Sequence, residues 1–397
     1  MIRSSDSSEQ EMPSPLEGLR VLELAQMLAG PSAGLLLADY GAEVLKVEPP
    51  SGDTLRNLRS AAAANLPESP VFAGYSRGKR AIRLDIRSAE GRTEILRLAS
   101  EADVLIEASR PGTLEKLGLG ADVLLAHNPR LIYASVSGFG HGEIGFKMGG
   151  VDNIVQAESG IMSTTGFKGQ AATKVGFTVV DAACGHALCH GILAALLRRE
   201  RTGRGEIVRL SLYDVALHLQ TGPLMEYLAT GVQEDRSGNS APLSAPADSF
   251  RCADGHVVIS AYIESHWKKF IAIIGAPELA DDPRFLTPSL KVVNRTALTA
   301  IIEEKLMTRS AAHWVGVMRS QGLLVGQVKD YKSVVNDPLT VESGMIRAVG
   351  GGYGIASPVK LVRSPSTAML PRDDLKVAPL EVGFLGTTRP PQDGSSG

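Results

Sequence analysis

Little in this chain marks it for a specialised environment. Three cysteines (Cys184, Cys189, Cys252) in 397 residues are too few and too oddly counted for a disulfide framework, which favours a reducing compartment. Aromatics are sparse at 5%, and Lys plus Arg (41) nearly balances Asp plus Glu (43). The global excess of base that would suit nucleic acid or an anionic membrane is lacking, although a local cluster suffices for a small anion. No apolar run approaches the length of a membrane-spanning helix. The opening MIRSSDSSEQEMPSP has no apolar segment of the signal-peptide kind, so residues 1–14 read as a disordered tail. These absences point to a cytoplasmic protein with neither a nucleic-acid nor a membrane partner. What is plentiful is apolar residue, 44% of the chain, ample for a large core.

From Leu16 onward, strand and helix patterns alternate. LRVLEL (19–24), EVLKVE (43–48), AIRLDI (81–86), DVLIEA (103–108) and RLIYASVS (130–137) read as strands. Ser32 to Tyr40, Ala89 to Ala99 and Gly120 to Ala126 read as helices. Short connections between them predict an α/β fold, a Rossmann-like doubly wound parallel sheet. GGVDNIVQAESGIM then reads as a helix, and ERTGRGEIVRLSLYDVALHLQTGPLMEYL as a strand followed by a long helix. The Gly/Pro/Ser-rich Ser237–Ala247 marks a boundary. Beyond it HVVISAY reads as a strand, with IESHWKKFIAIIG and RTALTAIIEEKLM as amphipathic helices of a smaller α+β domain. The expected division is 15–232 for the large domain, 233–335 for the small one and 336–397 for a return to the large domain and a tail, with SPVKLV (357–362) on the return. No internal repeat is visible.

The stretch Thr173–Gly205 carries the strongest chemical signal. A β-branched run, Phe177 to Val180, reads as a strand that stops at Asp181, where a long helical pattern starts. Open α/β sheets bind ligands at the carboxyl ends of their strands, and a helix N-terminus favours an ionised carboxylate. Asp181 is a candidate nucleophile, or simply an N-cap.

Other motifs are weaker. GYSRG at Gly74–Gly78 matches the string of hydrolase nucleophile elbows, but a strand pattern follows it where the elbow requires a helix. Base gathers at Arg77, Lys79, Arg80, Arg83, Arg87, Arg110 and Lys116. This is either a solvated surface or, at the Arg77–Lys79 turn, a phosphate site. His186 and His190 have metal-binding spacing, yet their apolar surroundings read as core or interface rather than as a metal site. The glycines from Gly138 to Gly150 lack the spacing and position of a dinucleotide fingerprint.

Taken in order, these segments resemble the family III CoA-transferases (the CaiB/BaiF family, formyl-CoA transferase-like). The likeness is carried by LEGLRVLELAQMLAGPSAGLLLADYGAEVLKVEPPSGDTLR, YSRGKRAIRLDIRSAEGR, EADVLIEASRPGTLEKLGL, NPRLIYASVSGFG, VDNIVQAESGIMSTTG and LAALLRRERTGRGEIVRLSLYDVAL. DPRF (282–285) and NDPL (336–339) extend it from Leu16 to about Ser357. The resemblance implies that Asp181 is the nucleophile and that coenzyme A or acyl-CoA is a substrate, with no permanently bound cofactor. It implies CoA contacts at Gln26, Met27, Leu28, Ala29, Glu48, Tyr75, Arg77, Lys79, Ala108, Ser109, Lys116, Leu117 and, with a shifted gap, Lys147. It also implies a homodimer of interlocked chains. Pro49 stands where some members carry Arg, and no Gly-rich lid is evident near Ser237–Ala247.

The expected reaction moves CoA from an acyl-CoA to a free carboxylic acid through an aspartyl-CoA thioester. The rival within the fold is an α-methylacyl-CoA racemase, which needs two proton carriers. Such racemases carry His where this chain has Val151, in Gly150-Val151-Asp152. A noncatalytic CoA-binding protein is a third reading, and it would leave Asp181 idle. Lys174 and Arg251 are the residues read as meeting a second carboxylate, as in succinate.

Overall fold

The structure, a computed structural model, describes residues 13–233, 235–349, 352–362 and 384. The expected tail lies outside the described residues up to position 12, as does most of the C-terminal stretch beyond 362. Two compact units emerge. The first runs to Ile161, resumes over Val175–Gly231 and takes up the chain again from Leu339; the second is Met162–Lys174 with Val232–Pro338. The excursion over Met162–Lys174 has no counterpart in the boundaries read from sequence.

The first unit is built on six parallel strands: β1 (Arg20–Glu23), β2 (Glu43–Glu48), β3 (Lys79–Arg83), β4 (Val104–Glu107), β5 (Ile132–Ser137) and β6 (Glu206–Ser211). Their spatial order is β3-β2-β1-β4-β5-β6. The chain therefore steps outward from β1 to β3, then jumps back past β1 and steps outward the other way. Between β1 and β4 the winding reverses, and the loops leaving those strands part to open a crevice.

Alternation along each strand sends neighbours to opposite faces. Val21, Val44, Val104 and Ile132 pack against α1 (Ala29–Asp39) and the long helix numbered α8 below. Leu22, Leu45, Leu105 and Tyr133 pack against helices on the other face. The central strands β4 and β5 are buried throughout, which explains their near-continuous apolar sequence. Phe384 joins the second face, with the Arg20 guanidinium 5.6 Å from its ring centre. Each fully buried Leu, Ile or Val contributes about 1.5–3 kcal/mol relative to exposure.

Further helices are α2 (Pro70–Ser76), α3 (Ala89–Glu101), α4 (Thr113–Lys116), α5 (Ala121–His127), α6 (Asp152–Glu158), α8 (Val179–Thr202), α9 (Leu212–Leu219) and α10 (Thr221–Thr230) in this unit, while α7 (Ile161–Thr164) begins at its boundary and continues into the segment of the second. Several differ from the sequence reading. The expected helix over 149–162 is broken at Gly160, whose φ of 89° no L side chain adopts cheaply. The long helix expected after β6 divides at Gln220 into α9 and α10. Ser76 ends α2 and feeds β3, so the order is helix, turn, strand, the reverse of an elbow.

The strand expected over Phe177–Val180 is not formed, since helix α8 begins at Val179. Nor does Asp181 cap it. Asp152 Oδ2, on α6, accepts the amides of Val180 at 2.8 Å and Asp181 at 3.1 Å. This tertiary cap overrides the β-branched preference of Thr178, Val179 and Val180. At 24 residues, α8 is also long and apolar enough to span a bilayer, contrary to the sequence reading. Its residues Val180, Cys184, Leu188 and Ile192 are buried in the core instead.

The second unit has an antiparallel sheet of β7 (Ala247–Cys252), β8 (Gly255–Ser260) and β9 (Leu324–Gln327). Its helices include α11 (Glu264–Ile273), α12 (Pro288–Val293), α13 (Arg295–Leu306) and α14 (Ala311–Ser320). Phe250, Trp267, Phe270, Phe285, Ile302 and Trp314 form its core, and Trp314 Nε1 donates to Leu306 O at 2.7 Å.

Candidate active site

A cavity of about 460 Å³ opens at the reversal of winding. The loop after β1 supplies Gln26, Met27, Leu28 and Ala29; the loop after β4 supplies Ala108, Ser109, Arg110 and Pro111. Val136 and Ser137 end β5 and Gly138 follows it, and Met148–Val151 with Ile154 close one wall. Asp181 and Leu212 complete the lining, in which Asp181 and Arg110 are the charged residues. Asp181 reaches this edge without a preceding strand. As the crossover helix into β6, α8 runs antiparallel to the sheet and so starts at the strands' carboxyl ends.

Asp181 lies in an unusual electrostatic setting. Burial first, and the nearby Asp152 second, push its carboxyl up to about 7. Asp152 is buried at 5% exposure and held by Gln156, whose Nε2 donates to Asp152 Oδ1 at 2.5 Å. Gln156 Oε1 in turn accepts the Val175 amide at 2.9 Å. A carboxyl poised near neutrality in a cleft is a candidate for chemistry. The neighbouring thiols are not: burial and then Asp181 push Cys184 up to about 12, and burial pushes Cys189 up to about 11.

The loop after β1 is held in a costly shape. Met27 has φ 63°, the positive-φ residue other than glycine among those described. Across the crevice, buried Glu107 at the end of β4 accepts the Ser109 amide at 2.7 Å and a hydrogen bond from Ser135 Oγ. Burial raises the Glu107 carboxyl above its usual range despite these donors. His141 Nε2 lies 3.5 Å from Ser135 Oγ and does not line the cavity.

Of the residues expected to contact CoA, Gln26, Met27, Leu28, Ala29, Ala108 and Ser109 meet Asp181 in one cavity. Tyr75 lies outside the lining, but burial and then the Asp181 charge raise its phenol, so the two are in electrostatic reach. The remaining expected contacts lie outside the cavity lining. Arg77 is 2% exposed and pairs with both Asp39 oxygens, Nη2 to Oδ2 at 2.7 Å. Lys79, also 2% exposed, donates to Glu23 Oε2 and Pro31 O, each at 2.7 Å. Burial pulls its ammonium down to about 8 against the pull of Glu23.

Glu48 is fully buried and spent on Arg56, which donates from Nε at 2.7 Å and Nη2 at 2.6 Å. Lys116, Leu117 and Lys147 do not line the cavity, and Lys147 lies 3.7 Å from Glu143. Neither Lys174 nor Arg251 lines it; Arg251 pairs with Glu303 at 2.9 Å. His186 and His190 are exposed on α8 and not core residues. Sequence reasoning missed the Asp152–Gln156 brace, for which the only local signal was an i,i+4 pair on a short helix.

Comparison with known proteins identifies the family. The profile of CoA-transferase family III matches residues 16–379. A probable fatty acyl-CoA transferase of Mycobacterium tuberculosis is 39% identical over 89% of this chain and 91% of its own. The acetyl-CoA:oxalate CoA-transferase of Acetobacter aceti is 37% identical over 90% and 92%. The succinyl-CoA–D-citramalate CoA-transferase of Chloroflexus aurantiacus is 37% identical over 83% and 82%. The crystal structure of a CaiB/BaiF family protein from Brucella suis superposes with a TM-score of 0.83 at 35% identity, covering 91% of this chain and 96% of that one. With a match spanning most of its length, the chain belongs to CoA-transferase family III, enzymes whose substrates are CoA thioesters.

Proposed function

We propose that the enzyme transfers CoA from an acyl-CoA to a free carboxylic acid through a covalent thioester on Asp181. The observation that carries this reading is Asp181 itself, the one carboxylate lining a cavity at the sheet's switch point, with its proton affinity set near neutrality. An ionised Asp181 oxygen attacks the thioester carbonyl, the C–S bond breaks, and a mixed anhydride and CoA thiolate result. The thiolate then attacks the Asp181 carbonyl carbon, expelling the donor acid as its carboxylate and leaving aspartyl-CoA. The acceptor carboxylate repeats both steps in reverse, so Asp181 is regenerated and no water is consumed.

Both substrates carry negative charge, and Arg110 is the cation the cavity offers them. Relatives named for oxalate and succinyl-CoA support a dicarboxylate such as succinate as one partner acid. A homodimer fits the bare surface of α10, which buries none of its residues in the single chain and exposes Met225 at 59% and Leu228 at 73%. We place the enzyme in the cytoplasm on the same family reading. Racemisation is disfavoured by Val151, an apolar cavity residue where a proton carrier is required, and by the position of His141 against Ser135.

The test is a covalent adduct. Wild-type protein incubated with acyl-CoA, then digested, should yield CoA on the peptide containing Asp181, and Asp181→Ala should lose exchange while keeping CoA affinity. Turnover at the wild-type rate in Asp181→Ala would remove this mechanism.

A further inference from the structure

The segment Gln26–Gly30 runs from the loop after β1 into the first turn of α1; its residues Gln26–Ala29 line one wall of the cavity and include the left-handed Met27. Two buried lysines grip its ends. Lys46 Nζ, from β2, donates to Ala25 O at 2.7 Å, and Lys79 Nζ, from β3, donates to Pro31 O at 2.7 Å. Both converge on Glu23 at the end of β1, Lys46 on Oε1 at 3.1 Å and Lys79 on Oε2 at 2.7 Å. Asp53, after β2, pairs with Lys46 at 2.8 Å, so two positive groups face two negative ones. None of the four is more than 2% exposed. A bare patch of α1 covers them, since a Cβ at Gly34 would fall 2.0 Å from Glu23 Oε2.

Stability alone is a poor reason for this arrangement, because buried ion pairs are often matched or bettered by apolar residues of similar volume. What apolar residues cannot do is hold two backbone carbonyls at set positions. We propose that Glu23, Lys46 and Lys79 form a clamp that sets the conformation of Gln26–Gly30 for acyl-CoA. Lys46 and Lys79 are thus positioning residues that act through the backbone and never touch substrate. The inference rests on the reading of the cavity as the acyl-CoA site.

The experiment compares Lys46→Met and Lys79→Met with Arg199→Met, which breaks another buried pair, with Asp103 (3.1 Å), far along α8 at the sheet's amino edge. Amide exchange of residues 24–32 is followed without ligand, beside kcat, KM and melting temperature. Either lysine variant should exchange this segment about ten-fold faster and raise the acyl-CoA KM about ten-fold, with kcat changed far less, as expected for lost binding preorganisation. Arg199→Met should lower the melting temperature comparably yet leave KM and that exchange at wild-type values. An unchanged KM in the lysine variants, or an equal rise in Arg199→Met, overturns the clamp. If neither lysine variant folds, Glu23→Gln takes their place; it should speed the same exchange, and wild-type exchange there overturns the proposal. Absence of saturable acyl-CoA binding by the wild type would instead remove the functional reading, while the exchange measurement still decides the clamp.

Discussion

Asp152 Oδ2 accepts the backbone amide of Asp181 at 3.1 Å, so one acidic residue anchors the other by its main chain while opposing the charge on its side chain. The contact starts α8 at the sheet's carboxyl edge. It also contributes, after burial, to the raised pKa of Asp181. Structural cap and electrostatic tuner are the same carboxylate.

Asp152→Asn separates those roles, because the amide oxygen can still accept the two amides. The wild-type kcat/KM should rise with pH through about 7 as Asp181 ionises. In Asp152→Asn the like charge is gone, and the inflection should move down by up to about one pH unit. A profile that stays in place or moves up would show that Asp152 does not tune the nucleophile.

Asp181 should also destabilise the folded enzyme at alkaline pH. Its folded pKa of about 7 lies above the ordinary 3.8, so the folded state holds the proton more tightly. The resulting stabilisation is complete below about 3.8 and is lost as pH rises through 7. Asp181→Asn should therefore melt near the wild type at pH 4 and several degrees higher at pH 8, a gain of about 1–4 kcal/mol. A gain that is larger at pH 4 contradicts the assignment.

Close approach of α1 and α8 depends on Gly185, where a Cβ would lie 2.3 Å from the Ser32 Cβ. Gly185→Ala should cost about 1–3 kcal/mol by forcing the helices apart. The double variant Ser32→Gly/Gly185→Ala should recover much of that loss, as denaturant titration would measure; equal losses in single and double variants would place the strain elsewhere.

A single-enantiomer 2-methylacyl-CoA incubated in D₂O tests the second reading of the fold. A racemase must exchange the α-proton, whereas a transferase leaves that bond alone. No enzyme-dependent deuterium is expected at the α-carbon, given Val151 in the cavity and His141 outside it. Rapid uptake that disappears in Asp181→Ala would reverse the assignment.

Local pattern settled the scaffold. Strands such as Glu43–Glu48 are bounded as read, because an apolar run between turn residues has few other outcomes in a parallel sheet. The loops at Gln26–Ala29 and Ala108–Ser109 and the carboxylate at Asp181 follow, since chain order and right-handed crossovers place all three at one edge. Charge was different. Arg77 and Lys79 look alike in sequence to phosphate ligands, and only the packed structure shows their partners, Asp39 and Glu23, arriving from 38 and 56 residues away. The start of α8 likewise depends on Asp152, 28 residues before Val180. A side chain's burial and its counter-charge are properties of contacts distant in sequence, so the residues that shape and tune the cavity became visible only once the chain had closed around it.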